Sequence, residues 1–133
     1  MFLLLCLVSL MSSKFLFAQE VDPHKGHEAM MKSQTSPQGI QTIKGEVLDM
    51  VCFMAHNGQG KKHKDCAQKC INEGAPIGLL TNDGKVYLAI ENHHKKEPFQ
   101  KLKGLAAEKV KVTGNIYIKN GVQSIEVETV EKL

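Results

Sequence analysis

The chain contains no arginine and no tryptophan, and its one long apolar run lies at the very start. Arginine is the side chain whose planar fork grips phosphate with two parallel hydrogen bonds. Without it, and with a formal net charge of +3 over 133 residues, charge gives no argument for a nucleic-acid partner. Aromatic residues make up 5% of the sequence, which is thin material for the stacking platforms that bind single strands. No Ser-His-Asp order, no pair of acids at a pocket and no phosphate loop can be argued from the residues, so catalysis has no positive support.

Met1 to Met11 is almost wholly apolar, and Ser12, Ser13 and Lys14 then break the run. Ala18 stands before a polar stretch that begins at Gln19. This is the shape of a secretory signal peptide over residues 1–18. It falls well short of the ~20 apolar residues that a membrane span needs. The chain is therefore expected to be exported, periplasmic or extracellular, with no stable membrane span. Residues 19–39 contain Pro23, Gly26, Pro37 and Gly39 and few large apolar side chains, which predicts a disordered tail. The tail holds His24, His27, Met30 and Met31, and imidazole with thioether suits copper.

Cysteine is also scarce, but it is concentrated. Beyond Cys6 in the leader, the thiols are Cys52, Cys66 and Cys70. An odd number in an oxidising compartment leaves one thiol over, or marks a metal site or a reactive group. If His63 to Glu73 is a short helix, His63, Cys66 and Cys70 fall on one stripe at i, i+3 and i+7. Cys52 would close the site from the other side of a Gly- and Lys-rich loop. Thiolate and imidazole in this pattern suit Zn or Cu(I). Further nitrogen ligands would come from His56, His93 or His94. Two other chemistries compete. A disulfide from Cys52 to Cys66 or to Cys70 would staple the domain, worth about 3 kcal/mol in the chain-entropy model. Redox cycling of Cys66 and Cys70 is the third, although their spacing is Cys-x-x-x-Cys. The pattern does not match a c-type haem attachment, since Ile71, not His, follows Cys70.

The rest reads as scaffold. Ile40 to Met54 is apolar on both parities with Gly45 inside, which predicts a long bent strand serving two sheets. Gly74 and Pro76 end the cysteine helix. Ile77–Thr81 and Lys85–Glu91 are strands joined at Asp83-Gly84. Pro98 opens a helix with Phe99, Leu102 and Leu105 or Ala106 as its apolar stripe. Val110, Val112, Ile116 and Ile118 alternate with polar residues up to Asn120-Gly121, after which Ile125 and Val127 resume the alternation.

These elements predict a mainly β domain over residues 40–133: a five-stranded antiparallel Greek-key barrel of OB type, with a cysteine-bearing helix inserted after strand 1. Lys44-Gly-Glu-Val-Leu-Asp49, the Gly78 to Tyr87 hairpin and Val110-Lys-Val-Thr-Gly114 resemble small exported bacterial OB-fold proteins. His63-x-x-Cys66-Ala-x-x-Cys70 is similar to a segment found inside that barrel in a group of secreted proteins. One exported OB-type family carries monovalent copper or silver on Met, His and Trp. This chain lacks the Trp, so that resemblance implies only a metal carrier. The expected partners are a metal ion and another exported protein, with no nucleic acid.

Overall fold

The structure, a computed structural model, describes residues 36–133. The signal-peptide reading and the tail residues His24, His27, Met30 and Met31 lie outside the described residues. The elements in order are β1 (Ser36–Asp49), α1 (Met50–His56), a 3-10 turn (Lys61–His63), α2 (Lys64–Asn72), β2 (Ile77–Thr81), β3 (Val86–Glu91), α3 (Glu97–Lys103), β4 (Lys109–Lys119) and β5 (Val122–Lys132). The five strands close a barrel in the order β1-β2-β3-β5-β4, with β4 returning to β1. This is the expected OB-like barrel with its helical insertion after strand 1.

Two features of the closure come from the chain's local chemistry. β1 does serve two neighbours: Ser36 to Glu46 pairs with β4, and Gly45 to Asp49 pairs with β2. Gly45 sits at the changeover. A Cβ there would stand 2.7 Å from the Leu80 carbonyl oxygen, so the two backbones approach closer than any side chain allows. The β4–β5 hairpin turns at Asn120 and Gly121, both at positive φ, as a type I′ turn requires. Four of the five pairings are antiparallel, and the fifth, β3 with β5, is parallel. That pair joins strands separated by α3 and β4, so no local hairpin signal announces it.

The core is aliphatic. Val47, Ile77, Leu79, Val110, Val112, Ile116, Ile125 and Val127 fill the barrel, and alternate residues of β4 point inward. Helix α3 covers the barrel with Leu102, fully buried, and Phe99 packs against the same cluster. Helix α2 contributes Ala67 and Ile71, one turn apart on its barrel-facing stripe. The Gln68 side-chain amide donates to the Lys103 carbonyl at 2.8 Å and ties α2 to α3.

The first strand is shorter at its C-terminal end than expected. It stops at Asp49, and Met50 to Met54 are helical. Asp49 explains the switch. Its backbone is extended, and its carboxylate accepts from the amides of Val51 at 2.9 Å and Cys52 at 3.3 Å, which caps the new helix. At the other end Asn57 adopts the left-handed conformation, and its amide donates to Phe53 at 2.9 Å.

Candidate metal centre

The helical excursion from residue 50 to residue 76 leaves and rejoins the barrel at one place. Asp49 pairs with Ile77, and the Met50 amide donates to the Pro76 carbonyl at 2.9 Å. The β1–β2 ladder therefore clamps both feet of the excursion. Cys52 lies just after the first foot and Cys70 shortly before the second, so the barrel itself brings them together. Cys66 is one turn earlier than Cys70 on α2. The pair forms a stripe beside the buried Ala67 and Ile71, which turns both thiols toward α1.

Cys52 is the hub. Its Sγ is 3.9 Å from Cys66 Sγ and 3.9 Å from Cys70 Sγ. All three sulfurs lie within 4.8 Å of one another, and none is bonded to another. A disulfide would bring a pair to about 2.05 Å, so the competing Cys52–Cys66 or Cys52–Cys70 staple is not formed. Cys66 is exposed, and Cys52 and Cys70 are half-buried.

A second group overlaps the first at Cys52. Ligand atoms of Asp49, Cys52 and His63 lie within 4.8 Å of one another. His63 ends the 3-10 turn and enters α2. Its Nε2 is buried with no hydrogen-bond partner. The ring rests on Gly58, where a Cβ would stand 2.6 Å from Nε2. Glu46, largely buried in β1, accepts from the Gly60 amide, and the Gly60 carbonyl accepts from the His63 amide at 2.9 Å. The loop that carries His63 is thus hung from the barrel wall.

The charges around Cys52 do not favour a free thiolate. Hydrogen bonding to the Asp49 carboxylate, then burial, then the two neighbouring thiols push its pKa up to about 12. Burial, together with the Asp49 charge, also raises Cys70. Asp49 itself is fully buried, and burial alone would raise it. The hydrogen bonds from Cys52 and from the Val51 and Cys52 amides outweigh that and hold it below its ordinary value. The site sets a buried carboxylate against the Cys52 thiol.

The four principal residues expected from the sequence, Cys52, His63, Cys66 and Cys70, all reach this cluster, arranged as two groups that share Cys52. Asp49 was not foreseen. Its signal was available as an Asp immediately before the helix, three residues ahead of Cys52. His56 ends α1 and is exposed, and His93 and His94 are exposed in the turn after β3. None of these three belongs to either group. Met54 is 75% exposed and fills no core gap, whereas Met50 packs over Gly78. Among the described residues no helix is long and apolar enough to cross a membrane. No family model matches the chain, and no match was found among curated proteins or solved structures.

Proposed function

We propose that this protein binds a soft metal ion, Cu(I) or Zn, at the Cys52, Cys66 and Cys70 cluster, and acts as an exported carrier or sensor of that ion. One observation carries the reading: three unbonded sulfurs gathered from two helices, with two of their separations at 3.9 Å. An ion bonded to sulfur at about 2.3 Å spans sulfurs about 3.8 Å apart in a tetrahedron and about 4.0 Å apart in a trigonal plane. The thiols already stand at ligand spacing. His63, which is grouped with Cys52 and Asp49 and is unpartnered at a buried Nε2, would supply a fourth donor for Zn by moving toward Cys66 and Cys70. Cu(I) needs only two or three soft ligands and could use the sulfurs alone.

The electrostatics support the same reading. Asp49 penalises a bare thiolate at Cys52, but a bound cation reverses that penalty and turns the carboxylate into a favourable neighbour. Reactive cysteines sit in electropositive surroundings, and this one does not, which argues against thiol catalysis. His24, His27, Met30 and Met31 favour copper over zinc, because thioether sulfur suits Cu(I). The apolar Met1 to Met11 run favours export.

The test is competition on fully reduced protein, with Cu(I) and Zn offered together and the bound metal measured. Copper occupancy is expected. Exclusive zinc occupancy would overturn the copper preference, and no metal uptake by reduced protein would overturn the metal reading altogether.

A further inference from the structure

The three thiols are not equivalent, and the difference sets the order in which they react. Cys66 is exposed on α2, whereas Cys52 and Cys70 are half-buried. Cys52 stands on the other helix, 3.9 Å from Cys66. Cys66 and Cys70 share α2, so joining them would distort a helix. Joining Cys52 to Cys66 needs only a small approach of two short helices.

We propose that Cys66 is the site of attack on small disulfides and Cys52 the resolving thiol, so that oxidation closes a Cys52–Cys66 bond and disables the metal site. The regulatory half of this proposal rests on the metal reading above. The co-reactant is a low-molecular-weight disulfide, R–S–S–R. Cys66 thiolate attacks one of its sulfurs, forming Cys66–S–S–R and releasing one RS⁻. Cys52 then gives its proton to solvent, a step that the neighbouring Asp49 carboxylate slows, and its sulfur attacks Cys66 Sγ. The Cys66–S–R bond breaks, the Cys52–Cys66 bond forms, and the second RS⁻ leaves. In total two protein thiols lose two electrons and two protons, and one R–S–S–R becomes two RSH. The short separation from Cys66 favours this intramolecular second step over capture by an outside thiol. Closure consumes two of the three thiolates, including the one shared by both ligand groups. Cys70, His63 and Asp49 remain, with a single thiol among them, so the grip on a soft ion is lost or sharply weakened.

The experiment uses the full chain, reduced and metal-free, exposed to glutathione disulfide, then alkylated and mapped by peptides. The Cys52–Cys66 bond is expected, with the alkyl label on Cys70. Cys52→Ser should trap glutathione on Cys66. Cys66→Ser should slow oxidation of the remaining pair roughly tenfold, because half-buried thiols meet the reagent less often. A Cys52–Cys70 product, or oxidation of Cys66→Ser at the wild-type rate, would overturn the order of attack. Protein loaded with Zn or Cu(I) is oxidised in parallel, and the released metal is measured. Release in step with Cys52–Cys66 formation supports the gate, and full retention by the oxidised protein overturns it. The peptide map reads the thiol steps without metal. Failure of reduced protein to take up an ion therefore counts against the metal reading and the gate, and leaves the order of attack to be judged by the map.

Discussion

At the scale of single residues, Cys52 does the most because it belongs to both ligand groups. Cys52→Ser should abolish ion binding by titration. Cys66→Ser and Cys70→Ser each keep Cys52, the thiol common to both groups, and should weaken it strongly. His63→Ala should weaken it for Zn and spare Cu(I), since only the former needs a fourth donor. The same residue sets a pH dependence. The Cys52 pKa stands at about 12 in the fold, against an ordinary 9.0. A raised pKa means that the folded state holds the proton more tightly than the unfolded state. That contribution is complete below pH ~9 and fades as the pH climbs toward ~12. Metal-free wild type should therefore lose its stability advantage over Cys52→Ser across this window, as read by thermal unfolding of reduced protein. Asp49→Asn keeps a capping side chain but removes the carboxylate whose hydrogen bond with Cys52 contributes most to the shift. In that variant the wild-type loss should shrink. An unchanged profile would show that the carboxylate is not the cause.

At the scale of elements, the strands were more legible than the helical excursion. The alternation in Lys109–Lys119 and the Asn120-Gly121 pair specify β4, β5 and their turn through side-chain period and local backbone preference alone. The two-sided apolar pattern around Gly45 likewise announces a strand with two partners. Met50 to Met54 misled for a physical reason. Five apolar residues after a strand continue it by pattern, and only the Asp49 cap turns them into helix. The cluster itself was half legible: helical spacing joins Cys66 to Cys70, but nothing local says that the β1–β2 ladder brings Cys52 back beside them. Two glycines test the elements directly. Gly45→Ala forces a Cβ against the Leu80 carbonyl and should cost about 1–3 kcal/mol in chemical unfolding. Gly58→Ala presses on the His63 ring and not on the core. It should shift His63 and weaken Zn binding while leaving the melting temperature nearly unchanged.

At the scale of the molecule, the barrel and the candidate metal centre make separable demands on the chain. The buried core begins at Ile43 and is drawn from β1 to β5 with α2 and α3. Val112 sits at its centre, fully buried. Val112→Asp would place an unpaired carboxylate there and should cost several kcal/mol. Thermal unfolding checks this, and an unchanged melting temperature would contradict the inward face of β4. A chain beginning at Ser36 keeps the pairing of Ser36 with Ile118 and of Pro37 with Tyr117, and it keeps every ligand of the cluster. It should melt close to the full chain and bind one ion per molecule with the same affinity. The longer chain carries His24, His27, Met30 and Met31 as well. If those residues collect copper, the full chain should take up more Cu(I) than the shortened one, while zinc uptake stays equal because thioethers add little for Zn. Equal Cu(I) stoichiometry in the two chains would confine metal binding to the barrel's own cluster.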